Sequence, residues 1–324
     1  MGKVIECNDV GIRYITGDLK AIGLKEYVMR RITGKYDVKE FWADRNIDFY
    51  LDSGDMLGII GSNGAGKSTL LKAISGIMEP KEGSIRVKGR IAALLELASG
   101  FDGDMTVKEN AYLRGAMLGY TRKFMDEKYK EIISFAELED FQDRTFRQLS
   151  SGMKSRLAFA ICCMVEPDII ILDEVLAVGD GAFRKKSGDK MREILNSGVT
   201  GILVSHSIDQ VKELCNKVLW LDHGKQITFS SDVKTVCDAY SEFLVTKELP
   251  GSEEEIKELS LSYEKRMAEE KAKKDKKETK KLEGILAKGT KNTAIEASLD
   301  IIENNAPELL DMHEVGKWRR KNNG

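Results

Sequence analysis

Residues 61–69 have the composition and spacing of a loop that binds phosphate groups. Three glycines precede Lys67-Ser68-Thr69, and the segment matches the pattern G-x-x-x-x-G-K-[ST]. Glycines let backbone N–H groups converge on phosphate oxygens, and a following helix directs the positive end of its dipole to the same point. We therefore predict a nucleotide site in which Lys67 reaches the β- and γ-phosphates and Ser68 binds Mg²⁺. Its residues are Gly61, Ser62, Asn63, Gly64, Ala65, Gly66, Lys67, Ser68 and Thr69.

Two adjacent carboxylates, Asp173 and Glu174, follow a predicted strand at residues 168–172, whose last four residues are apolar. An apolar strand that ends in acids can present them at the edge of a sheet. Asp173 at the strand end is expected to hold Mg²⁺ through water, and Glu174 to act as general base on an attacking water. Together with the phosphate loop, this pair predicts hydrolysis of a nucleoside triphosphate.

The elements that position these residues read as an α/β unit. Met56–Ile60 is an apolar run before the glycines, and a helix is predicted for residues 66–77. Helical periodicity dominates from 106 to 165, and continuous apolar runs indicate parallel strands covered on both faces. The predicted strands are residues 4–7, 56–60, 84–87, 91–95, 168–172, 202–205 and 218–221.

The pentad at residues 149–153, Leu-Ser-Ser-Gly-Met, resembles the signature of ABC ATPases, usually Leu-Ser-Gly-Gly-Gln. Ser150 and Gly152 match the family's functional positions, whereas Ser151 and Met153 depart from them. Residues 177–180 resemble the family's D-loop, and the last of them is Asp180. His206 matches the switch histidine that contacts the γ-phosphate, and Tyr14 matches the aromatic residue that stacks on adenine.

This resemblance covers residues 1–245 and implies the ABC nucleotide-binding fold, a mostly parallel core with an antiparallel β portion and a helical subdomain at about 98–165. It also implies that ATP and Mg²⁺ are bound, that two identical copies meet head to tail, and that each ATP lies between one copy's residues 61–69 and the other's Ser150, Ser151 and Gly152. A separate polytopic membrane subunit would use the motion. One departure is that Glu96 or Leu97 stands where the family usually has a glutamine.

Three features resemble the exporters of lipid-linked polysaccharides of O-antigen and teichoic-acid type. They are the sequence around Glu96, the insertion between Tyr14 and Phe41, and residues 174–180. The resemblance implies a lipid-linked glycan as cargo. Two alternatives stay open: an ABC ATPase for another exported substrate such as a drug, lipid or peptide, and a soluble ABC ATPase outside transport.

The insertion and the C-terminal residues carry weaker signals. Leu24, Tyr27, Val28 and Ile32 fall on one helical face, which is typical of a helix at a membrane surface or against its own domain. Residues 253–283 contain 10 acidic and 10 basic side chains, so we expect a solvated helix or a flexible connector. Residues 246–324 are read as a charged extension without a glycan-binding β-sandwich.

Composition limits the possible partners. The net charge of −2 and the pI of about 6.1 do not indicate a nucleic-acid partner. The five cysteines lack metal-ligand spacing and are expected to be reduced and mostly buried. No apolar stretch is long enough to span a bilayer. Together with the resemblance to ABC ATPases, this implies a peripheral protein at the cytoplasmic face of the cell membrane.

Overall fold

The structure is a computed structural model that describes residues 2–16, 39–94, 100–173 and 181–288. The predicted amphipathic segment near residues 24–32 lies outside the described residues. The strands are β1 (Lys3–Thr16), β2 (Lys39–Asp52), β3 (Met56–Ile60), β4 (Glu82–Val87), β5 (Ile91–Ala93), β6 (Ile169–Asp173), β7 (Thr200–Val204), β8 (Lys217–Asp222) and β9 (Lys225–Ser230). The helices are α1 (Lys67–Ile74), α2 (Val107–Met117), α3 (Arg122–Ala136), α4 (Ser151–Met164), α5 (Gly181–Asn196), α6 (Ile208–Leu214), α7 (Val233–Thr246) and α8 (Glu253–Lys288).

The described strands form one sheet in the order β4-β1-β2-β9-β8-β3-β7-β6-β5. From β8 to β5 across β3, β7 and β6 the pairings are parallel. The pairings β4–β1, β1–β2 and β8–β9 are antiparallel. The predicted fold class, a parallel core with an antiparallel portion, is therefore confirmed.

The central strands are buried on both faces, as their apolar runs predict. In β3, Leu57 and Ile59 pack into the hydrophobic cluster that contains α1, whereas Met56 and Ile60 pack into the cluster that contains α7. Alternate side chains of a strand point to opposite faces, so a strand covered on both sides must be apolar throughout. This double cover fixes the β3 end, from which the phosphate loop starts.

Helices α2, α3 and α4 share a third hydrophobic cluster of their own. Thr106 caps α2, since its side chain accepts from the Glu109 backbone N–H while the Glu109 side chain accepts from the Thr106 backbone N–H. Ser150 caps α4 by accepting from the Met153 backbone N–H at 3.2 Å. The predicted helical region thus consists of three capped helices with two short 3₁₀ turns between α3 and α4.

Several element bounds differ from those expected from sequence. The first strand runs over Lys3–Thr16 rather than residues 4–7, and β2 and β9 were not predicted. Helix α1 ends at Ile74 instead of residue 77, because Gly76 takes a left-handed conformation with φ 74°. Both unpredicted strands contain polar side chains at intervals that hide their alternation.

The charged region after residue 250 begins as a helix. Ile256 of α8 is 6% exposed and packs into the cluster that contains α7. The compact core unit accordingly extends to Ser260, past the expected boundary near 245, and a second unit covers residues 261–324. Within the described residues, no helix combines the length and the apolar character needed to cross a bilayer.

Candidate functional site: a nucleotide cavity at the end of strand β3

The predicted phosphate loop connects β3 to α1. Gly61, Gly64 and Gly66 all have positive φ values, of 151°, 80° and 109°. These values turn the chain back on itself within a few residues, and α1 starts at Lys67 directly afterwards. The first backbone N–H groups of a helix have no partner within the helix, so the start of α1 is suited to bind an anion.

Gly66 shows why one of these positions requires glycine. A Cβ at Gly66 would overlap the Asp44 carboxylate of β2, besides being strained at φ 109°. Asp44 is fully buried, and neither of its carboxylate oxygens has a hydrogen-bond partner within the described residues. Burial raises the pKa of Asp44 to about 7. The loop thus packs against a buried carboxyl group, and burial favours the protonated, neutral form of this group.

Lys67 folds back over the loop. Its Nζ donates hydrogen bonds to the backbone oxygens of Gly61 at 2.7 Å and Ser62 at 2.9 Å. The ammonium is therefore held over the loop, where the phosphates of a nucleotide would lie. Contact of Lys67 with the β- and γ-phosphates stays a prediction.

A cavity of about 380 Å³ brings most of the predicted residues together. Its volume falls in the range of ordinary small-ligand sites. It joins the phosphate loop to Tyr14 on one side and to His206, which follows β7, on the other. The described residues that line it are Tyr14, Phe41, Ala43, Asn63, Gly64, Ala65, Gly66, Lys67, Ser68, Thr69, Val204 and His206.

Tyr14 is fixed above α1. Its hydroxyl lies 3.5 Å from Thr69 Oγ1 and 3.3 Å from Met78 Sδ. The cross-strand partner of Tyr14 on β2 is Phe41. Two aromatic side chains therefore lie at the same end of the cavity, of which the sequence predicted only Tyr14.

Asp173 is the last residue of β6 and pairs in register with Val204, the last residue of β7. The carboxyl ends of parallel strands meet at one edge of the sheet, and β3 ends at that edge as well. The backbone of Asp173 is thus placed beside the strand that leads to His206. Glu174, Asp180, Glu96 and Leu97 lie outside the described residues.

The turn between β8 and β9 is hydrogen-bonded to the phosphate loop. Ser62 Oγ donates to Asp222 Oδ1 at 3.2 Å, and the Gly224 backbone N–H donates to the Ala65 carbonyl at 3.0 Å. His223 Nδ1 lies 2.7 Å from the other oxygen of Asp222. No sequence pattern indicated these contacts, because they join residues about 160 positions apart in the chain.

The residues of the predicted signature do not line this cavity. Ser150, Ser151 and Gly152 form the start of α4 and are not among the residues that line the cavity. Within the described residues, a Cβ at Gly152 would meet only Ser150 Oγ, at 4.0 Å. The packing of this chain therefore leaves room for a side chain at Gly152.

The structure also adds Phe41, Asp44 and Val204 to the surroundings of the cavity. Phe41 and Asp44 belong to β2, which was not predicted as a strand. The aromatic pair in residues 41–42 was visible in the sequence, but its pairing with Tyr14 depends on the register across the long insertion.

Comparison with known proteins supports the reading of these motifs. Residues 45–177 match the family described as "ABC transporter". The chain is 43% identical over 210 residues to the ABC transporter protein AbcA of Aeromonas salmonicida. This alignment covers 65% of this chain and 68% of AbcA. It is 40% identical over 187 residues to the O-antigen export system ATP-binding protein RfbB of Klebsiella pneumoniae, covering 58% and 76%.

A longer relative is the teichoic acids export ATP-binding protein TagH of Bacillus anthracis, 43% identical over 221 residues. That alignment covers 68% of this chain but only 39% of TagH, so the chain spans less than half of that relative.

Solved structures share the fold at low sequence identity. The ATP-binding subunit of an ABC transporter superposes with a TM-score of 0.55 at 20% identity and covers 80% of this chain and 99% of that one. A dimeric ATP-binding cassette bound to ADP and Pi gives 0.51 at 21% identity, covering 70% and 97%.

Proposed function

This chain belongs to the ABC transporter family, and from that premise we propose that it hydrolyses ATP to power export of a lipid-linked polysaccharide or teichoic acid through a separate membrane-spanning subunit. The observation that carries the ATP-binding part is the cavity in which the phosphate loop, Tyr14 and His206 meet. The export part rests on relatives named for O-antigen and teichoic-acid export.

In the proposed complex, the phosphates and the base of ATP lie at opposite ends of the cavity. The β- and γ-phosphates lie against the loop and the start of α1, where Lys67 neutralises part of their charge. The base lies at the Tyr14 end, where an aromatic face can stack on a purine. His206 stands on the wall that follows β7 and contacts the γ-phosphate.

The residues present fit a magnesium ion. Ser68 lines the cavity in the first turn of α1, and Asp173 ends the neighbouring strand β6. A hydroxyl and a carboxylate are the oxygen ligands that Mg²⁺ prefers. When bound, the ion neutralises charge on the phosphate oxygens.

Glu174 follows Asp173 directly and acts as the general base. It accepts a proton from a water molecule whose oxygen attacks the γ-phosphorus, while the bond from that phosphorus to the bridging oxygen breaks and ADP leaves. The loop and Lys67 hold the phosphates in line for this displacement.

The second half of each site comes from another copy of the chain. Ser150 and Gly152 do not line their own chain's cavity, and Gly152 has space for a side chain that it lacks. A second copy that brings this helix start against the γ-phosphate accounts for both observations, because the phosphate would then occupy that space. Loss of the γ-phosphate removes the bridge, so the dimer opens.

Opening and closing of the dimer is transmitted to a permease that provides the path through the membrane. The chain accordingly lies at the cytoplasmic face of the cell membrane, held there by that permease. The proposed cargo is a lipid-linked glycan, and it is supported by relatives that are named for export of O-antigen (RfbB) and of teichoic acids (TagH).

Glu174→Gln tests the catalytic assignment. We expect this variant to bind Mg-ATP as the wild type does, to lose steady-state ATPase activity, and to accumulate as an ATP-bound dimer, because the water is no longer deprotonated. Phosphate release measures turnover, and light scattering after gel filtration measures the dimer.

Glu213→Gln, on exposed α6, serves as the matched control and should hydrolyse ATP normally. In cells, Glu174→Gln should retain the lipid-linked glycan inside. Near-normal ATPase activity in Glu174→Gln contradicts the assigned base, and a variant that stays monomeric in saturating Mg-ATP contradicts the shared site.

A further inference from the structure

Phe41 is a large, exposed apolar side chain that lines the cavity at the end of two paired strands. It is 61% exposed, whereas Tyr14, its cross-strand partner, is 36% exposed. Residues directly opposite each other on antiparallel strands project to the same face with their Cβ atoms about 5 Å apart. Both rings therefore face the nucleotide cavity side by side, and both line it.

The next pair along the ladder shows the contrast between the two faces. Trp42 is paired with Arg13 and projects to the other face, where the guanidinium groups of Arg13 and Arg45 lie 5.5 Å and 4.8 Å from its ring. Cations thus cover the aromatic ring on that face. Phe41 has instead an open ring that faces the phosphate loop.

The two rings differ in how firmly they are held. The Tyr14 hydroxyl is engaged by Thr69 and Met78, which fixes the ring over α1. Phe41 has no polar atom that could anchor it, and a ligand in the cavity would cover its exposed ring. An apolar ring beside a fixed aromatic ring suits a flat heterocycle with two π faces.

We propose that Phe41 contacts the nucleobase of the bound nucleotide together with Tyr14, so that strands β1 and β2 both hold the base. This inference rests on the proposed function, since it requires a nucleotide at the phosphate loop. It makes Phe41 a residue that determines affinity through the base, independently of the phosphates.

The test compares a ligand that has a base with one that lacks it. We expect Phe41→Ala to weaken binding of Mg-ATP by roughly tenfold, the scale of one lost base–aromatic contact. Binding of inorganic tripolyphosphate, which occupies the phosphate loop without a base, should stay unchanged. Phe41→Tyr, which keeps the ring, should bind Mg-ATP like the wild type. Calorimetry with the full-length chain measures all three.

The control is Met117→Ala on α2, which removes an apolar side chain of similar exposure, 59%, away from the cavity. It should change neither affinity. Equal losses for Mg-ATP and tripolyphosphate in Phe41→Ala, or no loss for either, overturn the assignment of Phe41. A wild-type chain that binds no Mg-ATP would instead refute the proposed function itself.

Discussion

At the scale of single residues, Asp44 imposes a cost on the fold at the place where ATP is proposed to bind. It is fully buried against Gly66, and its carboxylate has no hydrogen-bond partner within the described residues. A charge in that position is poorly solvated, so burial raises the pKa of Asp44 from 3.8 to about 7. The neutral acid is therefore the form that suits the fold.

This shift predicts how stability depends on pH. Because the folded-state pKa is the higher one, the fold loses stability through Asp44 as the pH rises from about 4, and the loss is complete above about 7. Asp44→Asn removes this titration. The free energy of unfolding of the variant minus that of the wild type should therefore increase by roughly 3 kcal/mol between about pH 5 and pH 8.

Chemical denaturation at a series of pH values measures this difference. Asp140→Asn, at an exposed position after α3, is the control and should run parallel to the wild type. If the Asp44→Asn and wild-type curves are parallel as well, Asp44 does not titrate in the folded chain as described.

At the scale of elements, Gly152 makes the start of α4 less stable than an alanine at the same position would. Gly152 lies in the first turn of the helix, and a Cβ there would clash with nothing in the described part of the chain. Alanine is favoured over glycine in a helix interior by about 1 kcal/mol, although less near an end. Gly152→Ala should therefore stabilise the isolated chain slightly and raise its Tm.

The same substitution should weaken ATP-dependent dimerisation, because the added methyl group occupies the space that the partner's γ-phosphate needs. Differential scanning calorimetry and light scattering with Mg-ATP, both on the Glu174→Gln background, measure the two effects. Ser134→Ala on the exposed side of α3 also favours helix and should leave dimerisation unaffected. A Gly152→Ala chain that dimerises normally would argue against the proposed contact.

Elements with a strong local pattern could be predicted from the sequence, and those defined by distant contacts could not. The phosphate loop is contiguous, and β3 and residues 169–172 of β6 are apolar because both faces of these strands are covered. Strand β2 is different, since polar residues such as Asp44 and Asn46 interrupt its apolar residues. Its pairing with β1 spans the insertion, so sequence spacing gave no information about Phe41 lying beside Tyr14.

At the scale of the whole molecule, the core unit includes the beginning of the charged helix α8. Ile256 is 6% exposed within the core, whereas Leu261, five residues later, is 56% exposed. Ile256→Ala should lower the free energy of unfolding by about 2–4 kcal/mol, because it leaves a cavity in a packed cluster. Leu261→Ala should change it by less than about 0.5 kcal/mol.

Chain truncation extends this comparison. A chain that ends at Ser260 should retain the ATPase activity and the Tm of the full chain, whereas one that ends at Thr246 should lose stability by at least as much as Ile256→Ala. Urea denaturation measures these differences. Equal stability of the two truncated chains would place the end of the core unit near residue 245 instead.

The ladder between β1 and β2 ends with Thr16 opposite Lys39. Thr16 and Lys39 therefore lie side by side in the sheet, and the entropy of closing a chain between two such fixed points grows only slowly with the number of residues that join them. We therefore expect that segments of other lengths and sequences can join these two residues without shifting the strand register that places Tyr14 and Phe41. A shared ATP-binding core of this kind can accept different accessory segments between the same two residues. Grafting such a segment from a related chain is a practical route to changing which molecules the core contacts.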